Sequence, residues 1–228
     1  ASQIVKKETD TSVFGFESIG NFIFTIDNPF DEPINWRFEV EKIPFFQNTE
    51  GIQIDFGIPQ FIINGYIYIY GVEFNKKDND RYMLLARVPE EQIVSFDKWE
   101  FYSNGKWGKD FKQADKLCNH FGAEYSVSFQ PFLNKYITIY SEMGMSENIM
   151  LRTADKPEGP WSPQELIYKT PETNWDKDNF CYAARGHAEL SEFNDLLISY
   201  VCNSTDFWKM AADARIYRPK FIRIKFEQ

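Results

Sequence analysis

Gly65-Tyr66-Ile67-Tyr68-Ile69-Tyr70-Gly71 alternates tyrosine and isoleucine between two glycines. Successive side chains of a strand point to opposite faces, so this stretch reads as a strand with an aromatic face and an aliphatic one. Working outward, a polar turn leads to a second strand at residues 82–87, then to Pro89 and Trp99. The same order recurs from residue 135: Lys135-Tyr136-Ile137-Thr138-Ile139-Tyr140-Ser141, a strand at 148–152, Pro157 and Trp161. It recurs again from residue 195, with strands at 195–201 and 214–218 and then Pro219, without the tryptophan. An earlier partial copy, Asn21-Phe22-Ile23-Phe24-Thr25-Ile26-Asp27, precedes Pro29 and Trp36. Trp36, Trp99 and Trp161 stand 63 and then 62 residues apart. Self-similarity at a fixed period in an all-β chain predicts a β-propeller of four-stranded blades.

The expected division is a partial blade over residues 1–47, blades over 48–110 and 111–172, and a last blade over 173–228. In the last blade, strands are expected at 182–190, 196–202 and 214–224, with the outermost strand missing. The first unit shows two strands clearly. A short helix is expected around 113–119. At this period the chain holds about 3.7 blades, where propellers usually carry about 4–8. A five-bladed type is therefore expected, with an N-terminal segment or a partner chain completing the ring. Residues 1–16, including Thr11-Ser12-Val13-Phe14-Gly15-Phe16, are the spare strand material for an incomplete blade.

Composition narrows the function classes. There are 228 residues, 43 % of them apolar, enough for a sizeable core. The formal charge is −9, which repels phosphate backbones and makes nucleic acid a poor partner. No apolar run approaches the roughly 18–20 residues of a membrane-spanning helix. Aromatics make up 18 %. Sheet packing accounts for most of them, although such chains are also common among sugar binders. Cys118, Cys181 and Cys202 are an odd number without metal-ligand spacing. One bridge, Cys181–Cys202, stays open beside a reading of three half-buried thiols.

Several strings carry a family resemblance: Leu84-Leu85-Ala86-Arg87-Val88-Pro89, Glu124-Tyr125-Ser126-Val127-Ser128, Leu151-Arg152-Thr153-Ala154, Gly159-Pro160-Trp161-Ser162 and Ile216-Tyr217-Arg218-Pro219. Together they resemble an uncharacterised, DUF4185-like family of propeller domains, over about residues 20–226. That family is similar to the five-bladed glycoside hydrolase superfamily of arabinanases, xylosidases and invertases. The resemblance implies a secreted or periplasmic, carbohydrate-active protein acting on a poly- or oligosaccharide. It implies no required cofactor, with Ca²⁺ in the central channel as an option. In that superfamily the first innermost strand supplies the general base, and this chain shows no counterpart.

The candidate site follows from the innermost strands, whose ends ring a propeller's pocket. Asp55, Glu124 and Arg185 lie 10, 11 and 10 residues before the next strand's start, and His187 lies 8 before it. Glycoside hydrolysis uses two carboxyls at a defined separation, one of them protonated. Asp55 and Glu124 are the expected pair, with His187 beside them and Arg185 to bind substrate or hold a carboxylate ionised. Tyr125, Tyr182 and Trp175 are the expected sugar-stacking aromatics. A noncatalytic glycan-binding propeller and a protein-binding scaffold are the alternative readings. A closed polar network is the structural alternative for the inner charges.

Overall fold

The computed structural model describes residues 2–6 and 16–227. Four antiparallel sheets follow one another, and within each the strands pair in chain order. The first holds β1 (Ser2–Lys6), β2 (Phe16–Ile26) and β3 (Phe38–Ile43). The second holds β4 (Gln47–Thr49), β5 (Ile52–Ile63), β6 (Tyr66–Asn75), β7 (Asp80–Pro89), β8 (Glu100–Ser103) and β9 (Lys106–Gly108). The third holds β10 (Tyr125–Gln130), β11 (Lys135–Ser141), β12 (Asn148–Ala154) and β13 (Glu165–Lys169). The fourth holds β14 (Asn179–His187), β15 (Asp195–Ser204) and β16 (Lys220–Lys225).

Local sequence explains the hairpins. Asn64-Gly65 and Asn104-Gly105 both have positive φ at each residue, 51° and 77°, and 51° and 74°. That pair of conformations matches the twist of the strands it joins, and Asn-Gly reaches it at least cost.

The alternation then builds three apolar seams. Ile54, Phe56, Ile69, Leu84, Ala86, Val88, Trp99 and Phe101 of the second sheet are buried together, with Ile23 of the first sheet packed against them. The other face of the second sheet, with Tyr70, Val72, Met83 and Leu85, meets Tyr125, Val127, Tyr140 and Met150 of the third. The third sheet's far face, with Ile137, Ile139, Ile149 and Leu151, meets Leu196, Ile198, Tyr200 and Cys202 of the fourth. Neighbouring residues on one strand thus serve different seams, as period two requires. Each fully buried aliphatic or aromatic side chain contributes roughly 1.5–3 kcal/mol. The inner strands β2, β5, β10 and β14 pack on one another in that order.

The repeat is visible at two tryptophans. Trp36 and Trp99 each follow a 3-10 turn, Pro33–Asn35 and Phe96–Lys98. Each donates its indole N–H to a carbonyl just upstream, Trp36 to Asp31 (2.9 Å) and Trp99 to Ile93 (2.8 Å). Trp161 follows a cis Gly159–Pro160 bond and has no such partner. All three precede the next strand of their sheets. Burial separates them: Trp99 is 1 % exposed and Trp36 38 %.

Four expectations need correction. The first sheet has three strands where two were clear in the sequence, and the N-terminal strand material expected at an incomplete blade joins this sheet as β1, paired with β2. Residues 7–15, which include Thr11–Gly15, lie outside the described residues. The stretch 214–218 is turn, and β16 begins at Lys220, directly after Pro219, which has no N–H to give to a ladder. Ahead of it, α1 (Phe207–Ala212) forms where a strand-to-strand loop was expected, because the Asp206 side chain accepts the Trp208 N–H and caps it. Finally, the helix expected around 113–119 is a 3-10 turn at Phe111–Gln113.

Candidate functional site

Asp55 lies on β5 opposite Val72 of β6. Gly71 is the neighbour that makes its place possible: a Cβ there would meet the Asp55 carbonyl oxygen at 2.5 Å and the Phe56 ring at 2.6 Å. Gln53 donates to the Asp55 carboxylate from 3.1 Å. Asn21 of β2 also bonds to it, and donates to the Phe56 carbonyl at 2.8 Å. Burial raises the Asp55 pKa above its ordinary value, and the bonds from Gln53 and Asn21 and the Arg81 charge oppose that rise.

Glu124 immediately precedes β10 and is exposed at one side. Its pKa is raised by partial burial, and the Arg185 charge opposes the rise. Arg185 reaches this position through a break in register. Between Tyr182 and Arg185, β14 spends three steps where β15 spends two, with Ala183 at φ 56°. Such a bulge re-aims the side chains beyond it. Tyr182, before the bulge, has its pKa raised by burial first and then by Tyr217, with Glu124 acting in the same sense. Glu124, Tyr182, Arg185 and Tyr217 therefore form one electrostatic neighbourhood.

The structure thus gathers the candidates into two groups along the inner strands. Asp55 belongs with Asn21, Gln53 and Arg81, and Glu124 belongs with Tyr182 and Arg185. Tyr125 stands between them, its hydroxyl donating to the Gly71 carbonyl (2.9 Å) and its pKa raised mainly by burial, with Asp55 contributing. It is fully buried, with edge contacts to Tyr70 and Phe121, so it presents no face to a sugar. That is a correction to its expected stacking role. His187 ends β14, with its Nε2 2.7 Å from Ser199 Oγ of β15 and its Nδ1 3.3 Å from Glu189 in the 3-10 turn that follows. Trp175 is half-exposed, with the Arg215 guanidinium 5.6 Å from its ring centroid.

Arg81 is the residue that sequence reasoning missed. It stands second on β7, donates to the Met143 carbonyl (2.9 Å) and lies 4.6 Å over the Phe74 ring. Burial lowers its pKa, and Asp55 and Asp80 hold it up. The only hint in the sequence is its place after the acidic turn Asp78-Asn79-Asp80.

Cys181 and Cys202 are joined as a disulfide across β14 and β15. Glu172 lies with them, close enough for a three-ligand metal group. With the sulfurs bonded to each other, that group has no thiolate to offer. Cys118 is free, and burial pushes its thiol up to about 12, so it is an inert thiol at neutral pH.

A family assignment now fits this architecture. Residues 2–226 match the family described as "Domain of unknown function (DUF5005)". The chain belongs to that family. The expectation of an uncharacterised family holds, under DUF5005 rather than the DUF4185-like label. Among solved structures, a Bacteroides ovatus protein described as a "putative hydrolase" is similar to this DUF5005 chain at 16 % identity and a TM-score of 0.49. The similarity covers 75 % of this chain and 61 % of that one, so the DUF5005 chain spans less than two thirds of that protein's length. No curated protein matches it.

Proposed function

We propose that this DUF5005 chain is a carbohydrate-active β-propeller portion that acts on glycosidic bonds. Four meander sheets, stacked in chain order through three seams with their inner strands adjacent, support the propeller reading. The observation that carries the chemistry is a pair of carboxyls, Asp55 and Glu124, at neighbouring inner strands, both held above their ordinary pKa by burial. A general acid for a glycosidic oxygen has to keep its proton near working pH, and burial is the usual means. Glu124, at the exposed edge of β10, is the better-placed acid. Asp55 is the second carboxyl, and Arg185 and Tyr182 border the space beside Glu124. A disulfide inside the fourth sheet supports the secreted or periplasmic setting.

A noncatalytic glycan-binding reading has its own support. Trp175, ahead of β14, and Phe207, Trp208 and Tyr217, in the connection between β15 and β16 that includes α1, are all exposed. Aromatic faces of this kind stack on sugars without chemistry.

The test is turnover of a panel of oligo- and polysaccharides by the chain, with and without Ca²⁺, beside Glu124→Gln and Asp55→Asn. Glu124→Gln is expected to lower kcat by about 10²–10⁴-fold, the usual contribution of a positioned acid or base. Unchanged turnover in both variants would remove the pair from the chemistry. Glycan binding with no turnover by any of the three proteins would establish the binding reading.

A further inference from the structure

Glu172 is a carboxylate that the fold buries without a cation in contact. It sits in the 3-10 turn Pro171–Asn174, just after β13, and is 6 % exposed. None of the ion pairs among the described residues includes it. The Lys220 charge acts on it from longer range, while the ammonium itself donates to the carbonyls of Arg215, Ile216 and Arg218. The Tyr200 hydroxyl shares one proton between Oε1 (3.3 Å) and Oε2 (3.1 Å). Oε2 also faces Cys202 Sγ at 3.9 Å, and a bridged sulfur has no hydrogen to give it. A buried carboxylate is costly unless it is paired or holds a metal. Two more oxygens here go unmatched. Thr170 Oγ1, two residues before Glu172, is buried with no partner. So is Asn179 Oδ1, whose own Nδ2 donates to the Glu172 carbonyl at 3.2 Å. Acceptors crowd this end of the seam between the third and fourth sheets, and donors are short.

From this cluster we propose that Cys181, Cys202 and Glu172 form a zinc site in the reduced chain, at the place that the bridge fills in the oxidised one. The ligand atoms of the three lie within 4.8 Å of one another, and all three residues are buried. Cys181 and Cys202 are directly opposed on β14 and β15. Opposed side chains have Cβ atoms about 4.5–5.5 Å apart. Two separated sulfurs there can each reach one ion at about 2.3 Å, with a Glu172 oxygen at about 2.0–2.2 Å. Two thiolates and a carboxylate suit Zn²⁺ rather than Ca²⁺ or Mg²⁺. Three protein ligands leave the fourth tetrahedral position to a water. Thr170 Oγ1 and Asn179 Oδ1 are the acceptors for its hydrogens. The ligand charges exceed that of the ion by one, and Lys220 offsets the remainder.

Reaching this state takes a two-electron reduction. A dithiol reductant gives two electrons and two protons to the Cys181–Cys202 bond and closes to its own disulfide; Zn²⁺ then displaces both thiol protons. A chain that has met an oxidant holds the bridge, and a chain kept reduced holds the ion. Neither state uses Asp55 or Glu124, so the site is independent of the proposed glycosidic chemistry.

The test uses the 228-residue chain carrying Cys118→Ala, which removes the remaining thiol, with Co²⁺ as a coloured stand-in for zinc. After reduction by dithiothreitol and removal of the reductant without air, this chain is expected to bind one Co²⁺ with a thiolate-to-cobalt charge-transfer band that Zn²⁺ abolishes. The oxidised chain is expected to show no band. Zn²⁺ is expected to raise the urea midpoint of the reduced chain and to leave that of the oxidised chain unchanged. Glu172→Gln keeps both thiolates, so it is expected to show the band with at least about tenfold weaker binding. Circular dichroism follows the fold throughout. A reduced, folded chain without the band overturns the proposal, and so does a reduced chain that stays unfolded with zinc present. The same band in the Cys181→Ala/Cys202→Ala variant, or undiminished affinity in Glu172→Gln, overturns the ligand assignment.

Discussion

Asp55 shows how a residue of the proposed site bears on stability. Folding raises its pKa, so the folded state holds the proton more tightly than the unfolded chain does. Its contribution is most favourable below the ordinary value of 3.8 and is lost as pH rises through the folded value. At neutral pH the buried carboxylate is a net cost, and Asp55→Asn is expected to be more stable than the wild type. The difference should shrink to nothing as the pH falls below 3.8, where both side chains are neutral. Urea melts at pH 7 and at low pH check this, and a less stable variant at pH 7 would mean that the bonds from Gln53 and Asn21 outweigh the burial. Asp55 and Glu124 are singled out in the sequence by their recurring offsets from the following strand, and both have a carboxyl pKa raised by burial. Tyr125 and Arg81 could not be assigned. Alternation shows which residues share a face but not which face is sealed, and Arg81 reaches its place through a loop carbonyl far along the chain.

At the scale of elements, the tryptophan repeat separates geometry from energy. Trp99 and Trp36 share a turn and an indole bond, but only Trp99 lies in a closed seam. Trp99→Ala is expected to cost about 3–5 kcal/mol, the range for a buried large aromatic. Trp36→Ala should cost much less, near the ±0.5 kcal/mol of an ordinary surface change plus about 1 kcal/mol for its hydrogen bond. Equal losses in chemical denaturation would show that the first sheet's outer face is covered in solution. The Cys181–Cys202 bridge closes a loop of sequence separation 21. Loop-closure entropy puts its contribution at about 3 kcal/mol, measurable as a lower denaturation midpoint in the Cys181→Ala/Cys202→Ala double variant. The strands were legible in Tyr-Ile alternation and Asn-Gly turns. The six-residue helix α1 was not, because its signal is a single Asp206 cap between aromatic residues that also suit a strand.

For the whole molecule, the order of the sheets could be read from a 62–63-residue period, but the state of their outer faces could not. Periodicity marks a face as apolar whether or not another sheet covers it, and Phe24 and Leu84 obey the same alternation with opposite burial. The seams carry the stability: Leu85→Ala, fully buried between the second and third sheets, is expected to cost about 2–5 kcal/mol. The proposed site rests on β2, β5 and β14, which hold Asn21, Asp55 and Arg185, and on Glu124 just ahead of β10, gathered as two neighbouring groups. That placement is tested most directly by mapping amide chemical-shift changes in the isotope-labelled chain during titration with the glycan panel. Shifts are expected at Asp55, Arg81, Glu124, Tyr182 and Arg185, with smaller ones at Trp175 and Tyr217. No shift with any glycan, or shifts confined to the groove of about 280 Å³ between Ser128–Pro131 and Ala188–Phe193, would contradict it.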